Sequence, residues 1–297
     1  MQVSTALPTL RPAARTHRLQ HLLRRPGFVR WGVRIDTAPE GIWLALLAAA
    51  LWPTWLWMGQ RMLDRSDDPL GLLALAALGA LAWQQRARLR PAPRLGWIVL
   101  ALASAVAATA SQTFLPPLMM ALIAALAMAC GLAAFLPATV ASGPVLGLSV
   151  LSLPLLASLQ FYAGYPLRVV TAEASRWLLA LTHEVTRSGA SLEVDGRLVI
   201  VDAPCSGVQM AWFGYFTACA VTLYLVRGNR SFFTRLPLDS VLVLAGNIVR
   251  NTVLVAAEAS GHHLPGWAHD AIGLVLLAAV CTGIAWVMAQ PARARHA

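Results

Sequence analysis

Long apolar runs separated by short polar stretches make up most of the chain. Eight such runs are present, at residues 42–58, 69–83, 95–111, 116–136, 145–162, 206–226, 236–257 and 269–289. A membrane-spanning helix needs about 20 mostly apolar residues. The pattern therefore predicts an all-α polytopic membrane protein with about eight transmembrane helices.

One polar stretch is long enough to fold outside the membrane. Apolar residues at 170, 174, 177, 178, 181 and 185 recur at helical spacing, with charged residues between them, which predicts an amphipathic surface helix. In "SLEVDGRLVI" that follows, alternating segments flank Asp195-Gly196, a strong signal for a β-hairpin. We expect a small extracytoplasmic subdomain of one helix and one hairpin.

The predicted organisation has five parts. They are a cytoplasmic arginine-rich tail (1–41), N-terminal transmembrane helices (42–163), the extracytoplasmic helix and hairpin (164–204), C-terminal transmembrane helices (205–290) and a cytoplasmic tail (291–297). The acidic stretch "DRSDDPLG" at 64–71 is interpreted as a solvated outer turn, with contact to a substrate as the alternative.

Composition and charge agree with a membrane protein. Of the 297 residues 58% are hydrophobic and 12% are charged, and all 23 basic residues are arginine. Arginine is enriched on the cytoplasmic side of membranes, and 16 arginines fall on one side of an eight-helix chain. We expect a multi-pass protein of the inner (cell) membrane with both termini cytoplasmic. The lipid bilayer is thus the expected environment, and no nucleic acid is expected as a partner because no basic groove with stacking aromatic residues is visible.

Cys205 differs from the other three cysteines. Residues 130, 219 and 281 lie inside apolar runs, where cysteine behaves as a small hydrophobic residue, whereas Cys205 in "DAPCSG" precedes the sixth run. Pro204 before it and Ser206-Gly207 after it suit a sharp turn into a helix, whose first N–H groups favour a thiolate. The alternative is a further core cysteine. The cysteine spacing predicts no metal site, and no cofactor is expected.

Arg250 is a charged residue inside the seventh run. In "GNIVRN" it shares one helix face with Asn247 and Asn251, at spacing i, i+3 and i+4. An arginine at the centre of a membrane helix costs about 2.5–3.5 kcal/mol on insertion scales, so it is a functional hypothesis by default. Its structural alternative is a snorkelling side chain or a buried pair between helices.

His269 opens the eighth run in "GWAHDAIG", after an outer loop with His262 and His263. Those two adjacent histidines are a weak metal signal. The predicted topology brings Cys205, Arg250 and His269 to the same extracytoplasmic face from three helices. A cysteine thiolate attacks acyl carbonyls, a histidine exchanges protons with it and with the leaving group, and an arginine stabilises the oxyanion. This set favours acyl transfer through a thioester.

These motifs resemble the exosortase/archaeosortase family of membrane cysteine protease-transpeptidases. "PCSGVQM", "GNIVRN" and the histidine that opens the last run occur in the order of the family's motifs. The resemblance implies Cys205, Arg250 and His269 as catalytic residues, with Ser206, Gly207, Asn247 and Asn251 as supporting or substrate-binding residues. It also implies a partner: a secreted protein whose C-terminal sorting tail has a Pro-containing motif, one transmembrane helix and a basic end, of the PEP-CTERM type. Cleavage would be followed by transfer to an envelope or exopolysaccharide acceptor.

Two other classes of function remain as alternatives. The first is a transporter or channel whose path is lined by Arg250, Asn247 and Asn251; the two halves of the chain show no convincing repeat to support it. The second is a membrane thiol acyltransferase that carries a fatty acyl group on Cys205.

Overall fold

The computed structural model describes residues 39–63, 69–201, 206–261 and 265–291. The chain divides into two compact units, Met1–Trp43 and Leu44–Ala297. Of the first unit, residues 39–43 are described. The predicted cytoplasmic tails and the acidic residues 64–68 therefore lie almost entirely outside the described residues.

Helices account for most of the described chain. In order they are α1 (Glu40–Ala50), α2 (Trp52–Leu63), α3 (Gly71–Gln85), α4 (Leu95–Ala110), α5 (Pro117–Phe135), α6 (Ser142–Leu151), α7 (Leu156–Leu179), α8 (Val208–Tyr224), α9 (Asn229–Ala259) and α10 (Gly266–Ala289). Three strands lie between α7 and α8: β1 (Val185–Ser188), β2 (Ser191–Val194) and β3 (Arg197–Ile200).

Four helical segments of the described chain are individually long and apolar enough to cross a membrane: Leu95–Thr113, Pro117–Phe135, Asn229–Ala259 and Gly266–Ala289. Two bent pairs, α1 with α2 (67°) and α6 with α7 (93°), raise the number to six if each pair is one span. The prediction of eight spans is therefore not confirmed. The other two predicted spans correspond to α3 and α8, whose 15 and 17 residues are fewer than the about 20 of a typical span.

In three of these four segments, Leu95–Thr113, Asn229–Ala259 and Gly266–Ala289, the apolar surface is largely not covered by the protein itself. In α10 the most apolar window has a mean hydropathy of 2.3, yet only 22% of it is buried inside the chain. Exposed apolar surface on this scale is expected of helices that face lipid. The protein is a multi-pass membrane protein.

Helices α8, α9 and α10 pack on one another and form the core next to the predicted site. Gly246 of α9 permits the close approach of α10, because a β-carbon there would lie 2.2 Å from Cγ2 of Val280. At the C-terminal end of α10, Arg227 and Arg235 donate hydrogen bonds to the carbonyls of Ala289 and Met288, at 2.7 and 2.8 Å. These cations complement the negative end of the helix dipole.

The predicted surface helix is part of a longer helix. The fifth predicted span breaks at residues 152–155, around Pro154, and α7 then runs without interruption from Leu156 to Leu179, across the predicted boundary at 163–164. It ends before residue 185, which the helical periodicity had included. Val185 instead begins strand β1, because pairing with β2 engages its backbone. The prediction of a separate helix extending to 185 is wrong.

The predicted hairpin is confirmed and is part of a three-stranded antiparallel sheet of order β1-β2-β3. Leu192 pairs with Val199, and the turn has the positive φ angles of Asp195 (50°) and Gly196 (78°) that Asp-Gly favours. The sequence did not predict strand β1, which pairs with β2.

The sheet packs on the ends of α7 and α9. Its buried side chains form one apolar cluster with both helices, with Ile272 of α10 at the edge: Ala172, Leu179, Leu192, Val194, Val199, Val201, Leu254, Val255 and Ala259. Arg197 of β3 also donates a 3.0 Å hydrogen bond to the carbonyl of Ala259, at the C-terminal end of α9. The sheet is thereby fixed beside the end of α9, the helix that carries Asn247, Arg250 and Asn251.

Candidate functional site

The start of α8 is held by a buried serine. Ser206, the residue bonded to Cys205, is 3% exposed. Its hydroxyl donates a 2.7 Å hydrogen bond to Oε1 of Gln160 on α7 and accepts one from the N–H of Val208 at 3.3 Å. Ser206 therefore links the start of α8 to the beginning of α7. Cys205 itself lies outside the described residues, as do His262 and His263.

Gly207 makes the turn into α8. Its φ of +84° is left-handed, a conformation in which glycine avoids the strain of a β-carbon. A β-carbon at Gly207 would also lie 2.8 Å from Cγ and Nδ2 of Asn247. The predicted sharp turn into a helix is confirmed, and it lies directly against the polar face of α9.

Asn247 and Asn251 are buried, each 2% exposed, and both bind α7. Nδ2 of Asn247 donates to Oγ1 of Thr171 at 3.1 Å, and Nδ2 of Asn251 donates to Oγ of Ser175 at 2.9 Å. The two asparagines are one helical turn apart on α9, and their two partners are one turn apart on α7. The two bonds therefore form a ladder between α7 and α9. Such bonds between helices are a common means of packing in membranes.

Arg250 lies on the side of α9 that faces α10. A β-carbon at Gly273 would be 3.2 Å from Nε, 3.3 Å from Nη2 and 3.4 Å from Cζ of Arg250. The guanidinium therefore packs directly on the backbone of α10. His269, half-buried, is four residues before Gly273, and positions i and i+4 lie on one face of a helix.

The structure thus brings together the elements that carry the predicted site. Gly207 of α8 contacts Asn247, and Arg250, one turn further along α9, contacts α10 one turn from His269. Guanidinium N–H groups at such a junction can donate hydrogen bonds to a developing oxyanion, and a histidine one turn away can exchange a proton.

His183 and Asp195 form a hydrogen-bonded pair beside the hairpin of the neighbouring sheet. His183 Nδ1 lies 2.6 Å from Oδ2 of Asp195, and the N–H of Glu184 donates to Oδ1 at 2.9 Å. The bond from His183 and then that from Glu184 lower the pKa of Asp195 below its usual range. Asp195 therefore stays ionised to lower pH than a free aspartate.

Sequence reasoning missed the contribution of α7. The prediction places Gln160 in a span and Thr171 and Ser175 in a separate surface helix. It therefore does not show that the three residues share one face of a single helix. Their spacing of i, i+11 and i+15 was the available signal, because it places all three on one stripe of a continuous helix.

The fold and this junction define a multi-pass membrane protein in which polar groups of α7, of the turn into α8 and of α9 meet beside a small sheet, with Arg250 packed on the backbone of α10. The sequence model of one family, described as transmembrane exosortase (Exosortase_EpsH), matches residues 57–286, most of the chain. The chain belongs to this exosortase family, which confirms the resemblance found in the sequence. No curated protein and no solved structure matches the chain.

Proposed function

We propose that this exosortase is a cysteine protease-transpeptidase that cleaves a C-terminal sorting signal at the extracytoplasmic face of the inner membrane. Its substrate is a secreted protein with a PEP-CTERM-like tail: a Pro-containing motif, one transmembrane helix and a basic end. The approach of Gly207 to Asn247, and of Arg250 to Gly273 one turn from His269, carries the proposal, together with membership of the family.

In the proposed reaction the Cys205 thiolate attacks the carbonyl carbon of the scissile peptide. Arg250 donates hydrogen bonds to the oxyanion, and His269 gives a proton to the leaving amine as the carbon–nitrogen bond breaks. The tail departs and the secreted protein remains as a thioester on Cys205. A nucleophile of an envelope or exopolysaccharide acceptor then attacks the thioester, loses its proton to His269 and releases the thiolate.

Ser206, Gly207, Asn247 and Asn251 act in this proposal as positioning residues. Ser206 and Gly207 fix the first turn of α8 against Gln160 and Asn247. Asn251 fixes α9 against α7, one residue from Arg250. Burial of both asparagines, with hydroxyl partners on α7, gives no support to a transport path lined by them.

The experiment is co-expression of the enzyme with a tagged protein that bears such a tail, followed by mass determination of the tagged product. Wild-type enzyme should remove the tail, and Cys205→Ala, Arg250→Gln and His269→Gln should leave it attached. Cys281→Ala is the matched control, because Cys281 is a partly exposed cysteine on the same helix as His269 but more than three turns away.

Equal processing by Cys205→Ala would remove Cys205 as the nucleophile and with it the proposed reaction. A fatty acyl adduct on Cys205, without cleavage of the tail, would favour the acyltransferase instead.

A further inference from the structure

Four arginines lie between residues 164 and 204, and three of them bind groups of the protein. Arg176 and Arg187 both bind the carboxylate of Glu173, at 2.7 and 2.6 Å. Arg197 binds the carbonyl of Ala259. These three arginines have structural roles that their contacts explain.

Arg168 is the fourth, and it differs. It takes part in none of the ion pairs found among the described residues. Within the same part of the chain, its Nε is buried and has no hydrogen-bond partner. Its cationic contact is with the ring of Tyr165, whose centroid is 5.7 Å from Cζ. Buried charged groups in proteins are usually paired, so this partly buried cation is a candidate for binding an anionic ligand.

The position of Arg168 on α7 connects it to the site. At 100° per residue, Gln160, Arg168 and Ser175 fall within about 80° of one another on the helix. Gln160 binds Ser206 on this stripe, and Thr171, also within it, binds Asn247. Arg168 therefore lies between the contact to the start of α8 and the contact to the polar face of α9.

The sheet approaches the same part of α7. A β-carbon at Gly189 would lie 3.2 Å from the hydroxyl of Tyr165, the residue whose ring Arg168 contacts. The carbonyl of the next residue, Ala190, accepts a 3.1 Å hydrogen bond from the N–H of Val201. Val201 therefore bonds to the residue next to Gly189, and Ser206 bonds to Gln160, about two turns before Arg168 on α7.

We propose that Arg168 binds a side-chain carboxylate of the substrate close to the scissile bond and so contributes to substrate specificity. Because Nε is buried, the ligand meets the two terminal nitrogens, which can bind both oxygens of one carboxylate. Because Arg168 shares its stripe of α7 with the residues that bind Ser206 and Asn247, a carboxylate of the substrate chain is favoured over a lipid headgroup. The inference rests on the proposed function of the site.

The test uses full-length enzyme and a tagged tail-bearing substrate in liposomes of neutral lipid. Each Asp and Glu within about five residues of the cleaved bond is changed singly to its amide. Loss of a charge-assisted pair should lower kcat/KM roughly 10- to 100-fold for Arg168→Gln, chiefly through KM. For one of the amide substrates, the kcat/KM of the wild type should fall by a similar factor. Arg168→Gln should lower the kcat/KM for that substrate little further. Arg168→Glu should regain activity on the substrate that carries lysine at that position.

Arg230→Gln is the control, since Arg230 is an exposed arginine at the start of α9, and its kcat/KM should equal that of the wild type. Arg168→Lys keeps the charge and should retain intermediate activity, which separates a lost charge from a lost fold. Three results would each overturn the assignment. The first is an equal kcat/KM of wild type and Arg168→Gln, and the second is additive losses from Arg168→Gln and the amide substrate. The third is a loss that appears only in liposomes containing an anionic phospholipid. Failure of the wild type to cleave any such substrate would instead overturn the proposed function itself.

Discussion

The guanidinium of Arg250 packs on Gly273 of the neighbouring helix, where a β-carbon would lie 3.2 Å from its Nε. A methyl group at this distance forces the guanidinium to move by a few tenths of an ångström. The contact therefore sets the position of the charge proposed to stabilise the oxyanion.

We predict that Gly273→Ala slows processing of the tail severalfold, because small displacements of an oxyanion donor cost activity. The amount of folded protein should remain close to that of the wild type. The measurement is the rate of tail removal at matched enzyme levels. Gly283→Ala is the control on the same helix, since a β-carbon there meets its nearest neighbour, Leu242, at 3.8 Å, an ordinary contact. Equal rates for the two variants would show that the Arg250 contact is not important.

We predict that Gly207→Ala reduces both stability and activity. The left-handed φ of +84° costs a non-glycine residue roughly 1–2 kcal/mol, and the β-carbon would also meet the Asn247 amide at 2.8 Å. Thermal unfolding in detergent measures the loss. Combining the change with Asn247→Ala should relieve the contact but leave the backbone strain. Gly59→Ala, with open space around its β-carbon position on α2, should be neutral or stabilising.

We predict that the ladder between α7 and α9 is coupled. Ser175→Ala removes the acceptor of the Asn251 amide and should lower the free energy of unfolding by about 0.6–1.7 kcal/mol, the range for such bonds in membranes. A double-mutant cycle with Asn251→Ala checks the coupling by the loss of stability of each variant. Strictly additive losses would contradict a direct bond between the two side chains.

Removal of the carboxylate of Asp239 on α9 should stabilise the protein, in contrast to the loss expected for Ser175→Ala. It is 1% exposed, and both of its carboxylate oxygens are buried without a hydrogen-bond partner in the described chain. We predict that Asp239→Leu, which is close in shape, raises the free energy of unfolding by about 1–3 kcal/mol, because it removes an uncompensated desolvation cost. The adjacent change Ser240→Ala, which loses a 2.6 Å bond with Tyr215, should lower it. Thermal unfolding of both variants tests the sign, and destabilisation by Asp239→Leu would contradict the prediction.

The stability of the sheet should fall at acidic pH because Asp195 becomes protonated. Its pKa is lowered in the folded protein by His183 and by the N–H of Glu184. The stabilisation is therefore present above the unfolded pKa of about 4 and is lost as the pH falls through the lower folded value. Asp195→Asn, which tolerates the left-handed turn, should make the melting temperature less sensitive to acid. Glu193→Gln is the control in the same sheet, because its carboxylate binds the neutral hydroxyl of Thr186. Identical acid profiles of wild type and Asp195→Asn would contradict the prediction.

The amino-acid sequence by itself determined what depends on local pattern. Apolar runs indicate membrane helices because lipid requires a continuous apolar surface, and Asp195-Gly196 indicates its hairpin because few residues adopt a left-handed backbone at low cost. The motifs around Cys205, Arg250 and His269 identified the family for the same reason: each is a short contiguous stretch.

Only the tertiary structure decided what depends on contacts between distant residues. The end of α7 at Leu179 and the pairing of β1 follow from the docking of the sheet on α7 and α9, which helical periodicity around residue 185 does not encode. Gln160, Thr171 and Ser175 became recognisable as partners of Ser206, Asn247 and Asn251 when the three helices packed together. A hydrogen bond between residues 46 or 76 positions apart has no signature in either segment alone, because it exists only through the packing that joins them.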